Sequence, residues 1–112
     1  MLTFEELAKA NKLRSEDAYF PIGEWTPQEW SNAMAGECGE VCNLTKKLKR
    51  DAESNKRVDP TKIGLEIADV VIYADLLAQR LGFKLESLVR TKFNLTSEKV
   101  RSSVKIGVKI DI

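Results

Sequence analysis

Four acidic side chains stand in two matched pairs, Glu37 and Glu40 in AGECGEV and Glu66 and Asp69 in EIADVVIY. Each pair has i,i+3 spacing, which on an α-helix places two side chains about 60° apart on one face. That face is also apolar. Trp30, Ala33, Met34, Glu37, Val41, Leu44 and Leu48 follow helical spacing, and Ile63, Glu66, Ile67, Val70, Ala74, Leu77 and Leu81 repeat the arrangement. A carboxylate in a buried stripe is costly unless it is paired or binds metal. Four carboxylates converging from two helices would repel one another and raise each other's pKa values. A divalent cation relieves both problems, and an oxygen-only ligand set suits Mg²⁺, with Mn²⁺ as a second choice. The rival reading is a solvated face of acids paired with Lys46, Lys47 or Lys62, and for a single pair that is the better account. Two pairs, both embedded in apolar stripes, favour the metal. Gly36 and Gly39 sit inside the same helix, where together they cost up to ~2 kcal/mol relative to Ala. Close helix packing and room for a ligand both explain them.

The elements that must carry these residues are helices. Thr3 and Glu6 have capping-box spacing, and a first helix is expected from Phe4 to about Ser15, with Phe4, Leu7, Ala8 and Leu13 as its short apolar face. Residues 16–26 hold Pro21, Gly23, Tyr19, Phe20 and Trp25 and read as an irregular aromatic segment. Thr26-Pro27-Gln28-Glu29 combines a cap, a first-turn Pro and a second capping box, opening a helix expected to run to about Lys49. Arg50–Asp59 is a polar loop with Val58 as its one apolar anchor. Asp59-Pro60 repeats the cap-then-Pro signal for a third helix ending at Leu81, with Gly82 placed to stop it. A fourth helix is expected over Leu85–Lys99, followed by a tail, SSVKIGVKIDI, that is extended or loosely docked. The second and third helices, each roughly 30 Å long, must lie antiparallel because the loop between them is short. The class is all-α: an antiparallel bundle of about four helices in a single domain spanning residues 1–112.

Composition narrows the functional classes. With 112 residues, 43% of them hydrophobic and 31% charged, the chain is ordinary for a globular domain. A net charge of +1 sets up no field for a nucleic-acid polymer or a membrane. There is no His, which removes Zn–His sites, His bases and the Glu-x-x-His motif of di-iron bundles. Cys38 and Cys42, at i,i+4 with no second pair, read as reduced thiols of a cytoplasmic protein. No apolar run reaches about 18 residues, and MLTFEELAKA carries acids where a signal peptide needs bases.

These residues also carry a family resemblance. GECGEVCNLTKKLK followed by EIADVVIYADLLAQRLG resembles the MazG-like all-α nucleoside triphosphate pyrophosphohydrolases, a group that includes the dCTP pyrophosphatases and is related to dimeric dUTPases. Glu37, Glu40, Glu66 and Asp69 fill the acidic places of the family pattern, with Gly36 where some members have an extra Glu. TKFNLTSEKV resembles the family's basic and Asn-containing last helix, with Lys92 and Asn94 as the matching residues. The similarity covers about residues 25–105. It implies Mg²⁺-dependent hydrolysis of a nucleoside triphosphate, such as a deoxynucleotide, between the α and β phosphates, yielding the monophosphate and pyrophosphate in nucleotide-pool house-cleaning. On that reading the four acids hold metal and do the catalysis. Lys92, with Arg90 or Lys47, would hold the phosphates. Trp25 and Phe20 would stack on the base, Trp30 being placed in the core by its position in the apolar stripe.

The resemblance also implies a homodimer or a dimer-of-dimers tetramer, with active sites completed by neighbouring chains. The apolar stripes point the same way. Two long helices present more apolar surface than one short helix covers, and Tyr73, Leu76, Leu77 and Arg80 are expected to form a further face of the third helix for a partner. The alternative function is a non-catalytic metal-binding helical bundle acting as an interaction or regulatory protein.

Overall fold

A computed structural model describes residues 1–55 and 59–107. It is all-helical, with no strand among those residues. Helix α1 covers Phe4–Arg14, α2 Pro27–Glu53, α3 Thr61–Arg80 and α4 Leu85–Lys99. Between α1 and α2 the chain makes a π turn, Ser15–Tyr19, and a short 3₁₀ turn, Ile22–Glu24.

The helix starts follow local chemistry. The Glu6 amide donates to Thr3 Oγ1 at 3.0 Å. At the head of α2 the capping box is complete: the Glu29 amide donates to Thr26 Oγ1, and the Thr26 amide donates to Glu29 Oε1, both at 3.1 Å. Asp59 reaches past Pro60 to accept the Thr61 amide at 2.9 Å. α3 stops in a Schellman arrangement. Gly82 has φ +82°, its amide donates to the Gln79 carbonyl, and the Phe83 amide donates to the Ala78 carbonyl.

Three expectations need correcting, the first two at the ends of elements. α2 continues to Glu53, about one turn beyond Lys49, because Arg50-Asp51-Ala52-Glu53 contains good helix formers and no breaker. The loop thus starts later, and its expected anchor Val58 lies outside the described residues. The tail is more firmly held than expected. Asn94 Nδ2 donates to the Ile106 carbonyl at 2.9 Å and Asn94 Oδ1 accepts the Ile106 amide at 2.8 Å, so one side chain pairs with the tail as a strand would. Residues 108–112 of that tail lie outside the description.

α2 and α3 form an antiparallel pair: Trp30, early in α2, faces Tyr73, late in α3, with ring centroids 6.4 Å apart. α1 packs on the C-terminal half of α3 through a buried polar clamp. Asn11 Nδ2 donates to Asp75 Oδ2 (2.9 Å) and to the Ile72 carbonyl (3.1 Å). Gln79 Nε2 donates to the same Asp75 oxygen (2.8 Å) and to the Ala8 carbonyl (3.0 Å).

The interior of the single chain is thin. Among the described residues, Trp30, Leu76 and Ala78 are its buried apolar side chains, against Asn11, Ser15, Asp75, Ser87, Asn94 and Ser97 among polar ones. α4 turns its small polar side chains inward and shows Val89, Phe93, Leu95 and Val100 to the outside. Most of the α2 and α3 stripes are half-buried in their mutual contact, but Ile67 and Leu81, assigned to the α3 stripe, are exposed. The expected further face of α3 is corrected as well. Leu76 is buried and Tyr73, Leu77 and Arg80 are half-buried within the chain, whereas Leu65, Ile67 and Val71 point outward.

Candidate metal centre and adjoining cleft

Antiparallel packing of α2 on α3 sets Glu37 opposite Glu66 and Asp69. Each of the three offers a carboxylate oxygen within 4.8 Å of the others, and all three are half-buried. Helical i,i+3 spacing aims Glu66 and Asp69 to one side, and the helix pairing supplies the third acid. Such a cluster is short of positive charge. Glu37 sits above the ordinary carboxylate range, first because of burial, then because of the Asp69 charge, the hydrogen bond shared with Glu66, and the Glu66 and Glu40 charges. An all-oxygen donor set whose negative charges repel one another suits a hard divalent cation.

Glu40 lies one turn further along α2, exposed, near enough for its charge to act on Glu37 but outside the three-carboxylate group. A Cβ built on Gly36 or on Gly39 would meet nothing within 4 Å. Close packing inside this chain therefore does not require either glycine, and the surface beside the acids stays open. Cys38 and Cys42 are free and exposed.

The acids open into a cleft of about 490 Å³, and Glu37 and Asp69 line one end of it. Its wall is aromatic. Ring centroids lie 5.0 Å apart for Phe20 and Trp25, 4.7 Å for Trp25 and Trp30, and 5.9 Å for Phe20 and Trp30. The irregular segment is tied down where it builds this wall. Ser15 Oγ donates to the Phe20 carbonyl (2.7 Å), Trp30 Nε1 to the Ile22 carbonyl (2.9 Å), and Arg80 Nε to the Trp25 carbonyl (2.6 Å). Trp25 and Phe20 are half-buried with faces on the cleft, and Trp30 is buried behind them. Tyr73, one turn after Asp69, brings its phenol to the same place. Its pKa is raised by burial first, then by the charge of Glu37 and further by Tyr19 and Asp69, with Arg14 pulling the other way.

The basic residues anticipated from α4 are elsewhere. Arg90 Nη2 pairs with Glu86 Oε1 at 2.9 Å and lines a separate apolar cleft with Phe4, Val89 and Ile106. Lys92 and Lys47 are exposed, and neither lines the acid–aromatic cleft. Asn94 is buried with its amide engaged by Ile106. The cation that does line the cleft is Arg14, at the end of α1, with Asn11 and Ser15 beside it. Tyr73 was legible in the sequence, being four residues from Asp69 on the same helix face. Arg14 carried no local signal, because only the docking of α1 on α3 brings it to the acids.

Compared with known proteins, the chain matches no family model, no curated protein and no solved structure.

Proposed function

We propose that the protein is a Mg²⁺-dependent nucleoside triphosphate pyrophosphohydrolase that cleaves a nucleotide between its α and β phosphates. The observation that carries this reading is the junction of a three-carboxylate cluster with an aromatic-walled cleft. One end suits a cation and the phosphates that bind it, and the other offers flat faces for a base. Glu37, Glu66 and Asp69 hold the cation, and Glu40 supplies a further carboxylate from the next turn of α2. Bound there, Mg²⁺ supplies charge neutralisation for phosphate oxygens and a more acidic water. With the cation bound, the carboxylates of the cluster would orient that water and accept its proton. Trp25 and Phe20 stack on the base, and Trp30 and Tyr73 exclude water from the side facing the core. The working unit on this reading is a homodimer or a tetramer of two dimers, supported by the apolar surface that one chain leaves open.

A panel of nucleoside triphosphates with Mg²⁺, read out by both pyrophosphate and orthophosphate, tests the reading. Pyrophosphate release, abolished by EDTA and by Glu66→Gln or Asp69→Asn, is expected. Orthophosphate alone would move cleavage to the γ position. Cation binding without turnover of any nucleotide would favour a non-catalytic metal-binding bundle.

A further inference from the structure

We propose that Arg14 is the residue of this chain that grips the phosphate chain of the ligand, with the Tyr73 hydroxyl as a second donor beside it; this rests on the function proposed above. Among the residues lining the acid–aromatic cleft, Arg14 is the one cation. Among the described residues it forms no ion pair and no side-chain hydrogen bond, whereas Arg90 is paired with Glu86 and Arg80 is bonded to the Trp25 carbonyl. Its guanidinium is exposed and its donors are free.

Arg14 is also held in place. One turn earlier, Asn11 is buried and fixed by Asp75 and the Ile72 carbonyl, and Gln79 ties the Ala8 carbonyl to the same carboxylate. These bonds lock the register of α1 on α3. Immediately after Arg14 the chain widens into the π turn, pinned by buried Ser15 through its bond to the Phe20 carbonyl. π turns of this kind re-aim side chains and recur at functional sites. The result is a free guanidinium at the end of a clamped helix.

The chemistry favours phosphate as the bound group. A triphosphate brings several negative charges to a site that already has three carboxylates. A divalent cation offsets part of that charge, and a planar guanidinium matches two phosphate oxygens with two parallel donors. Arg14 is close enough to act electrostatically on the Tyr73 hydroxyl, with the sign opposite to that of Glu37 and Asp69. Arg14, Tyr73, Glu37 and Asp69 all line the one cleft, so a phosphate chain held at the acids has both donors on the same cavity wall. A phenol is protonated at neutral pH, so the Tyr73 hydroxyl is a donor.

The test compares wild type, Arg14→Lys, Arg14→Ala and Tyr73→Phe, with Lys12→Ala as a charge control on the same helix, all checked for fold by circular dichroism. Pyrophosphate release is measured for triphosphates of every base, and the binding of inorganic pyrophosphate with Mg²⁺ and of Mg²⁺ alone is followed by calorimetry. For Arg14→Ala, kcat/KM is expected to fall about 100-fold for all bases alike. Pyrophosphate affinity should fall about 10-fold or more. Mg²⁺ binding alone should be unchanged, Arg14→Lys should recover part of the loss, and Tyr73→Phe should show a smaller loss of the same kind. A loss that depends on the base, with pyrophosphate affinity intact, would place Arg14 on the base edge and overturn the assignment. So would activity and pyrophosphate affinity within about twofold of wild type for Arg14→Ala. If wild type hydrolyses no nucleotide, the proposed function fails, and pyrophosphate binding still decides the role of Arg14 separately.

Discussion

Glu37 has the most telling chemistry at the scale of a single residue. In the folded chain its pKa lies above the reference value of 4.5, through burial, Asp69 and the bond to Glu66. The folded state therefore binds this proton more tightly than the unfolded state. Without a divalent cation, the contribution of Glu37 to stability is full below pH 4.5 and is lost as pH rises through its elevated folded pKa. With Mg²⁺ the trend should reverse, because the cation binds the deprotonated acid. Denaturant unfolding at a series of pH values, with and without Mg²⁺, checks both signs. Glu37→Gln should flatten the metal-free dependence in that window and remove the Mg²⁺ stabilisation. An unchanged pH profile in the variant would show that the group titrating in that window is not Glu37.

Elements differ in whether their key contacts are local. Thr26 caps α2 through neighbours three residues away, so Thr26→Ala should cost about 1 kcal/mol in thermal or denaturant unfolding. The α1–α3 clamp is non-local: Asp75 is 1% exposed and one of its oxygens serves both Asn11 and Gln79. Asp75→Ala removes one of the two acceptors of each amide, leaving Asn11 only the Ile72 carbonyl and Gln79 only the Ala8 carbonyl, and should cost about 1–3 kcal/mol. Asp75→Asn keeps an accepting oxygen and should cost less. If Arg14 works as proposed, Asp75→Ala should also raise KM more than it lowers kcat, since α1 is loosened while the acids stay in place. Gly39 has the opposite expectation. A Cβ there meets open space, so Gly39→Ala should stabilise α2 by about 1 kcal/mol, and any accompanying loss of turnover would show that a ligand or second chain needs the gap.

For the whole molecule, one chain is more open than a compact domain of its length. Its radius of gyration is 17.0 Å, against about 13 Å for a compact domain of this length. Its accessible surface is 8454 Å², where a compact monomer of this mass exposes about 6,200 Å². The excess, of order 2,000 Å² per chain, falls within the range of obligate dimer interfaces. Among the exposed apolar side chains are Leu65 and Val71 of α3 and Phe93 and Leu95 of α4. A second copy laying its own helices there is the expected occupant. Light scattering at micromolar concentration should give a multiple of 12.6 kDa. Phe93→Glu, which places a charge on the apolar face of α4, should lower that mass or the thermal stability. A fully active monomer of wild-type protein would refute the assembly. Among the described residues no helix is long and apolar enough to cross a membrane.

What the sequence alone determined is local in origin. The helix starts at Thr3 and Thr26, the stop at Gly82, the all-α class and the i,i+3 pairing of Glu66 with Asp69 depend on neighbours within a turn, where residue type decides geometry. The antiparallel pairing of α2 with α3 also followed, because a short connection leaves two long helices no other arrangement. Tertiary structure decided everything that needed a distant partner. It selected Glu37, and not Glu40, to join Glu66 and Asp69, since helix rotation sets which of two neighbouring acids faces across. It drew Asn94 to the tail and brought Arg14 to the acids through bonds spanning more than sixty residues of sequence between Asn11 and Asp75. Periodicity marks which face of a helix is apolar, but it carries no information about which other helix, in this chain or a second one, will cover it.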